Sequence, residues 1–174
     1  LYTSRDHITR RQILRNVAEQ VRETVNFAVP EDNGMNYIDR VETDWAFRIQ
    51  LPIGTNVPFH CTASGKCFLS SLKKREINGI LSSIKLEAIT EKTHVTPEGL
   101  MQELNQIKKQ GYALDREEFM EGMIAIAVPV KDKQDRFVGA LAFHGPTQRI
   151  SIENAVARKE ILLSASQKLR EHLF

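Results

Sequence analysis

An excess of charge of one sign is what this chain most plainly lacks. Its 174 residues carry 24 basic and 22 acidic side chains, for a formal net charge of +2. That balance gives no basic footprint for nucleic acid in this segment. Cysteine is scarce. Cys61 and Cys67 are too few for a disulfide framework, and a reducing cytoplasm is the expected compartment. No apolar run reaches the roughly 20 residues of a membrane span. No signal peptide opens the chain, so no membrane partner is expected. Internal repeats and low-complexity segments are missing too. The chain begins at Leu1 without a methionine and reads as a fragment or a processed form. What is present, 41% hydrophobic and 26% charged, is ordinary for a single domain with a real core.

The chain is organised around Gly111 to Val130, GYALDREEFMEGMIAIAVPV. A turn glycine leads into a short extended run. An acidic patch follows, Asp115, Glu117 and Glu118, and Gly122 then opens an apolar strand, 123–130. Carboxylates where two strands meet can form the polar wall of a small-molecule pocket. Alternation in an extended backbone puts Glu117 on the face of Asp115. Upstream, the spacing of Ile8, Ile13, Leu14, Val17, Val21 and Val25 predicts a helix over 6–25. Strands are expected at 26–30 and 35–42, joined through Asn33-Gly34, and at 46–51, ended by Pro52 and Gly54. Helices are expected at 63–72 and 74–83. A third at 97–110 has Thr96 as cap, Pro97 in its first turn and Gly111 as its stop. A strand at 137–143 and a helix at 152–173 close the chain. This order predicts an α+β domain, an antiparallel sheet with helices packed on it.

Four groups could carry chemistry. At Thr62-Ala63-Ser64-Gly65-Lys66, small residues at a helix start favour an anion such as a carboxylate or phosphate. The bland alternative is that Thr62 or Ser64 merely caps the helix. The glycine spacing of a phosphate-binding P-loop is missing there. Asp115 could accept hydrogen bonds from a ligand, or sit in a charged turn. His144, at a strand end, could donate to an anionic ligand or be structural. His60, Cys61, Cys67 and His144 offer soft ligands but match no tight zinc spacing. Cys61 as a hydrolytic nucleophile lacks an oxyanion pattern or a third partner.

The runs GTNVPFHCTASGKCFLS, GYALDREEFMEGMIAIAVPVKD and FVGALAFHGPTQRI together resemble the effector-binding domain of IclR-type bacterial transcriptional regulators. Glu23-Thr24 is similar to the pair that opens that family's first strand. The resemblance covers almost the whole chain. It implies a GAF-like fold over residues 1–174, with 1–25 as a lead-in helix from an N-terminal winged helix-turn-helix. It implies a ligand sensor rather than an enzyme, with a thiol-dependent hydrolase using Cys61 as the alternative. No cofactor is expected. The implied partners are a small, carboxylate-bearing effector, DNA through the N-terminal domain only, and further copies of the chain in a homodimer or homotetramer. Carried over by position, the ligand-binding residues are Ala63, Ser64, Gly65, Asp115, Ala125, Ala142 and His144. Relatives that take keto acids resemble this chain less at Ala125 and Ala142, where they have cysteine or serine. A roomier, less polar pocket is expected, with His144, protonated beside Asp115, as its directional group.

Overall fold

Val25, Phe27 and Val29 alternate with Asn26 and Ala28, and that period of two prevails over the helical spacing shared by Val21 and Val25. The computed structural model describes residues 4–51, 53–54 and 56–174. Helix α1 spans Ser4–Val21 and stops four residues before the expected end. The Arg22 N–H closes its last turn on Ala18 O at 2.8 Å, and Arg22 takes a left-handed φ of 59°. Strand β1 then runs Thr24–Glu31 and β2 Gly34–Val41. Glu31 pairs with Gly34, so Asp32 and Asn33 form the turn.

The strand expected at 46–51 does not form. That segment is irregular, and Phe47 is 59% exposed. Its alternating Phe47, Ile49 and Leu51 face no ladder. Pro52, expected to end it, lies outside the described residues. The edge of the sheet is instead β3, Asn56–Val57, paired with β2. Helices α2 (Ala63–Ser70), α3 (Lys74–Ser83) and α4 (Pro97–Gln110) follow. Thr96 caps α4, and Gly111 ends it at φ 87°, where a side chain would be strained.

Strands β4 (Ala113–Arg116), β5 (Met123–Lys131) and β6 (Phe137–Pro146) complete an antiparallel sheet of order β3-β2-β1-β6-β5-β4. Strand β6 is three residues longer than expected, because Thr24 pairs with His144 and Met123 with Pro146. The closing helix is broken at Arg158 into α5 (Ile152–Ala157) and α6 (Lys159–Leu173). Leu14, Val25, Phe27, Ile126, Phe143 and Leu162 form the core on the α1, α5 and α6 face of the sheet. Ala28, Tyr37, Ala63, Leu100, Ala125 and Ala142 form the other, under α2, α3 and α4. Both faces are covered, as the near-continuous apolar runs of β5 and β6 require.

Candidate functional site

Helix α2 starts in a tight loop. Thr62 Oγ1 accepts the Gly65 N–H at 3.0 Å and donates to Pro58 O at 2.7 Å. A Cβ on Gly65 would lie 2.5 Å from Phe59 O, so glycine is what lets this loop pass. Thr62 is therefore the cap. Ser64 is released from that task, and its buried Oγ has no hydrogen-bond partner among the described residues.

Thr62, Ala63 and Ser64 form one wall of a small cavity. Asp115, Met123 and Ala125 face them from β4 and β5, and Ala142 and His144 from β6. Asn26 and Tyr37 extend the floor, while Leu51 and Phe119 close it. Six of the seven expected residues thus meet at one place. Gly65 does not line the cavity, and its N–H is used by the Thr62 cap. The sequence reading missed Asn26, Tyr37, Leu51 and Phe119, because no local motif marks them. The two alanines leave little open space. Tyr37, Leu51, Phe119 and Met123 reduce about 300 Å³ of free space to crevices with room for about one water. A wider open depression lies between α1 and α6, but no buried polar group lines it.

The polar groups of the cavity behave differently from their sequence reading. His144 Nε2 lies 3.0 Å from Ile49 O, which can only accept, so that nitrogen carries the proton. Nδ1 then accepts from Asn26 Nδ2 at 3.0 Å. Burial pushes the His144 pKa down to about 4, against the pull of the Ile49 carbonyl and with the help of Arg40. The imidazole is neutral, which corrects the expected protonated donor. Asp115 does not protonate it. Asp115 is itself pushed up to about 7, chiefly by burial, although its Oδ1 accepts the Glu118 N–H at 2.7 Å.

Glu117 does not share the face of Asp115. Its φ of 58° turns the chain, and its side chain pairs outside with Lys92 at 2.7 Å. Glu118 goes inward instead. The fully buried Lys66 Nζ lies 2.7 Å from Glu118 Oε1 and 2.6 Å from Leu114 O, and also bonds Glu103. His94, Glu103 and Glu118 are the one group of potential metal ligands brought together among the described residues. The Lys66 ammonium already bonds both of those carboxylates. His60, Cys61, Cys67 and His144 do not form such a group. His60 Nε2 is engaged by Glu87 O at 2.9 Å. Cys61 is fully buried, and burial with the charge of Asp115 pushes its thiol up to about 12. It has no thiolate with which to act as a nucleophile.

Residues 2–171 match the family model described as the C-terminal domain of the bacterial transcriptional regulator IclR. The probable transcriptional regulator SauR of Cupriavidus necator is 35% identical over 144 residues, 83% of this chain and 57% of that protein. The transcriptional repressor IclR of Escherichia coli K12 is 32% identical over 159 residues, 90% of this chain and 58% of that protein. The chain thus spans little more than half the length of these relatives, which are transcriptional regulators and not enzymes. The crystal structure of the C-terminal domain of E. coli KdgR superposes with a TM-score of 0.84 at 28% identity, covering 94% of both chains. The α+β fold is accordingly GAF-like. The chain belongs to the IclR family of bacterial transcriptional regulators, to whose C-terminal domain it corresponds.

Proposed function

We propose that residues 1–174 form one domain that senses a small carboxylate-bearing metabolite in the cavity between α2 and the sheet. One observation carries this reading: a buried hydroxyl without a partner faces a buried carboxyl across the cavity. The Ser64 hydroxyl is unpartnered, and it lies in the first turn of α2, where free N–H groups and the helix dipole favour an anion. Burial raises the Asp115 pKa to about 7, so near neutral pH a large share of it is protonated and can donate rather than repel. Ala63, Ala125 and Ala142 supply the small apolar wall, and His144 positions the floor. In the longer protein, we place this domain after a winged helix-turn-helix, with α1 as the lead-in. DNA is then a partner of that other domain only. The names of several relatives, including the HTH-type regulator KdgR of E. coli at 30% identity, support this arrangement. A cytoplasmic homodimer or homotetramer fits such a regulator.

A thermal-shift panel of small carboxylates tests the reading. An effector at 100 times its dissociation constant should stabilise the domain by about 2.7 kcal/mol. Ala142→Leu fills the cavity and should abolish that shift, while overpacking costs about 1–3 kcal/mol of stability. An effector that binds Ala142→Leu as well as the wild type would place the site elsewhere.

A further inference from the structure

Arg40 belongs to none of the site residues read from the sequence. A β-bulge explains why. Ala28 pairs with Tyr37 and Phe27 with Asp39, so Ile38 is the extra residue in β2. The extra residue reverses the alternation. Tyr37 and Arg40 therefore share the cavity face, where strict alternation would separate them.

The Arg40 guanidinium is buried, with the residue 7% exposed. Its Nε donates to Asn26 Oδ1 at 2.6 Å and its Nη1 donates to Leu51 O. Its Cζ lies 5.1 Å from the Tyr37 ring centroid. Those three neighbours all line the cavity. Its Nη2 has no hydrogen-bond partner among the described residues. No carboxylate pairs with it there either. Asp39 lies on the opposite face with Arg10 and Arg11, and Glu42 pairs with Arg48. A buried cation with no carboxylate in contact is costly, and the face of one aromatic ring with the more distant charge of Glu42 compensates only in part. Burial accordingly lowers the Arg40 pKa.

We propose that Arg40 is a second anion-binding group of this cavity, and that the effector is a short diacid reaching from the start of α2 to Arg40. The inference rests on the reading of the cavity as the effector site. One carboxylate meets the first turn of α2 at Ser64. The other replaces the Leu51 carbonyl on Nη1 and also engages Nη2, the two-pronged geometry that suits guanidinium and carboxylate. A neutral acceptor would leave the Arg40 charge uncompensated. A monoacid would satisfy one end only. The acid must be short and must displace Leu51, because the cavity as it stands has room for about one water.

Calorimetry on the wild-type domain with malonate, succinate and glutarate, against propionate, butyrate and valerate, tests this. At least one diacid should bind about tenfold or more tightly than the monoacid of its length, as a charge-assisted bond implies. Arg40→Gln should remove that preference and keep monoacid binding. Arg40→Lys should keep part of it. Monoacids that bind as tightly as every diacid overturn the inference and leave the carboxylate-sensing reading in place. Failure of all six acids overturns the diacid inference, and the carboxylate-sensing reading falls only if the wider thermal-shift panel fails as well. Because the comparison within the wild type decides, a variant that does not fold leaves the test intact.

Discussion

Asp115 and His144 face one cavity and titrate in opposite senses. Asp115 is raised from 3.8 to about 7, so the folded state holds its proton where the unfolded chain has lost it. Its contribution to stability is complete below pH 3.8 and is lost as pH rises through about 7. His144 is lowered from 6.5 to about 4, so the unfolded chain takes a proton that the folded state refuses. Its contribution is complete above pH 6.5 and is lost as pH falls through about 4. Between pH 4 and 6.5 the two slopes oppose, and each amounts to on the order of 3 kcal/mol. Relative to wild type, Asp115→Asn should lose stability as pH falls from 7 to 4. His144→Gln, whose amide can still donate to Ile49 O, should gain stability over the same interval. Urea titrations at several pH values measure both differences. Parallel pH profiles for the three proteins would show that these groups are not the source.

Helix α2 is held at one end by the Thr62 cap and along its length by Lys66. Lys66 joins α2 to α4 through Glu103, to β4 through Leu114 O, and to the following turn through Glu118. Lys66→Met leaves Glu118 buried without its counter-charge. That should cost about 3–5 kcal/mol. Adding Glu118→Gln should recover part of the loss, because the stranded charge is then removed. A single-variant cost below about 1 kcal/mol in urea unfolding would mean that the network is solvated. None of this network was legible in the sequence, although Lys66 stood inside a quoted motif. Its partners come from three separate elements, and Glu118 is turned inward only because Glu117 takes a left-handed φ. Helix α4, by contrast, was legible to the residue. Thr96, Pro97 and Gly111 act within their own turns and need no tertiary partner. The expected strand at 46–51 failed for the converse reason. Its alternation was real, but β2 takes Asn56–Val57 as its neighbour. Likewise, the cavity's wall at α2 and β4–β6 was marked by motif residues. Its floor at Asn26 and Tyr37 carries no local signal, and Arg40 is brought in behind it by a bulge in β2.

At the scale of the molecule, the cavity and α1 lie on opposite faces of the sheet, and β2 runs between them. Asp39 and Arg40, adjacent in β2, face opposite sides by ordinary alternation, and the bulge at Ile38 decides that Arg40 takes the cavity side. Asp39 receives Arg10 Nε at 3.0 Å and Arg11 Nη1 at 2.7 Å from α1. The Arg40 N–H donates to Asp39 Oδ1 at 2.8 Å, and Arg11 Nη1 also donates to Arg40 O at 3.1 Å. A shift of Arg40 on ligand binding therefore acts on the same backbone atoms that hold α1. Coupling between sites requires such a contiguous element, with a difference in contacts that both sites can bias. An acid that stabilises the domain should change amide exchange in α1 around Arg10 to Leu14, by the equivalent of about 1–3 kcal/mol. Asp39→Asn weakens both arginine contacts without touching the cavity face. In that variant the acid should still bind within a few-fold, and the response of α1 should vanish. Hydrogen exchange read by mass spectrometry, with and without the acid, makes the comparison. If wild-type α1 ignores the ligand, or if Asp39→Asn responds as the wild type does, the route through β2 is wrong, and the signal must leave the cavity by α2 and its neighbours.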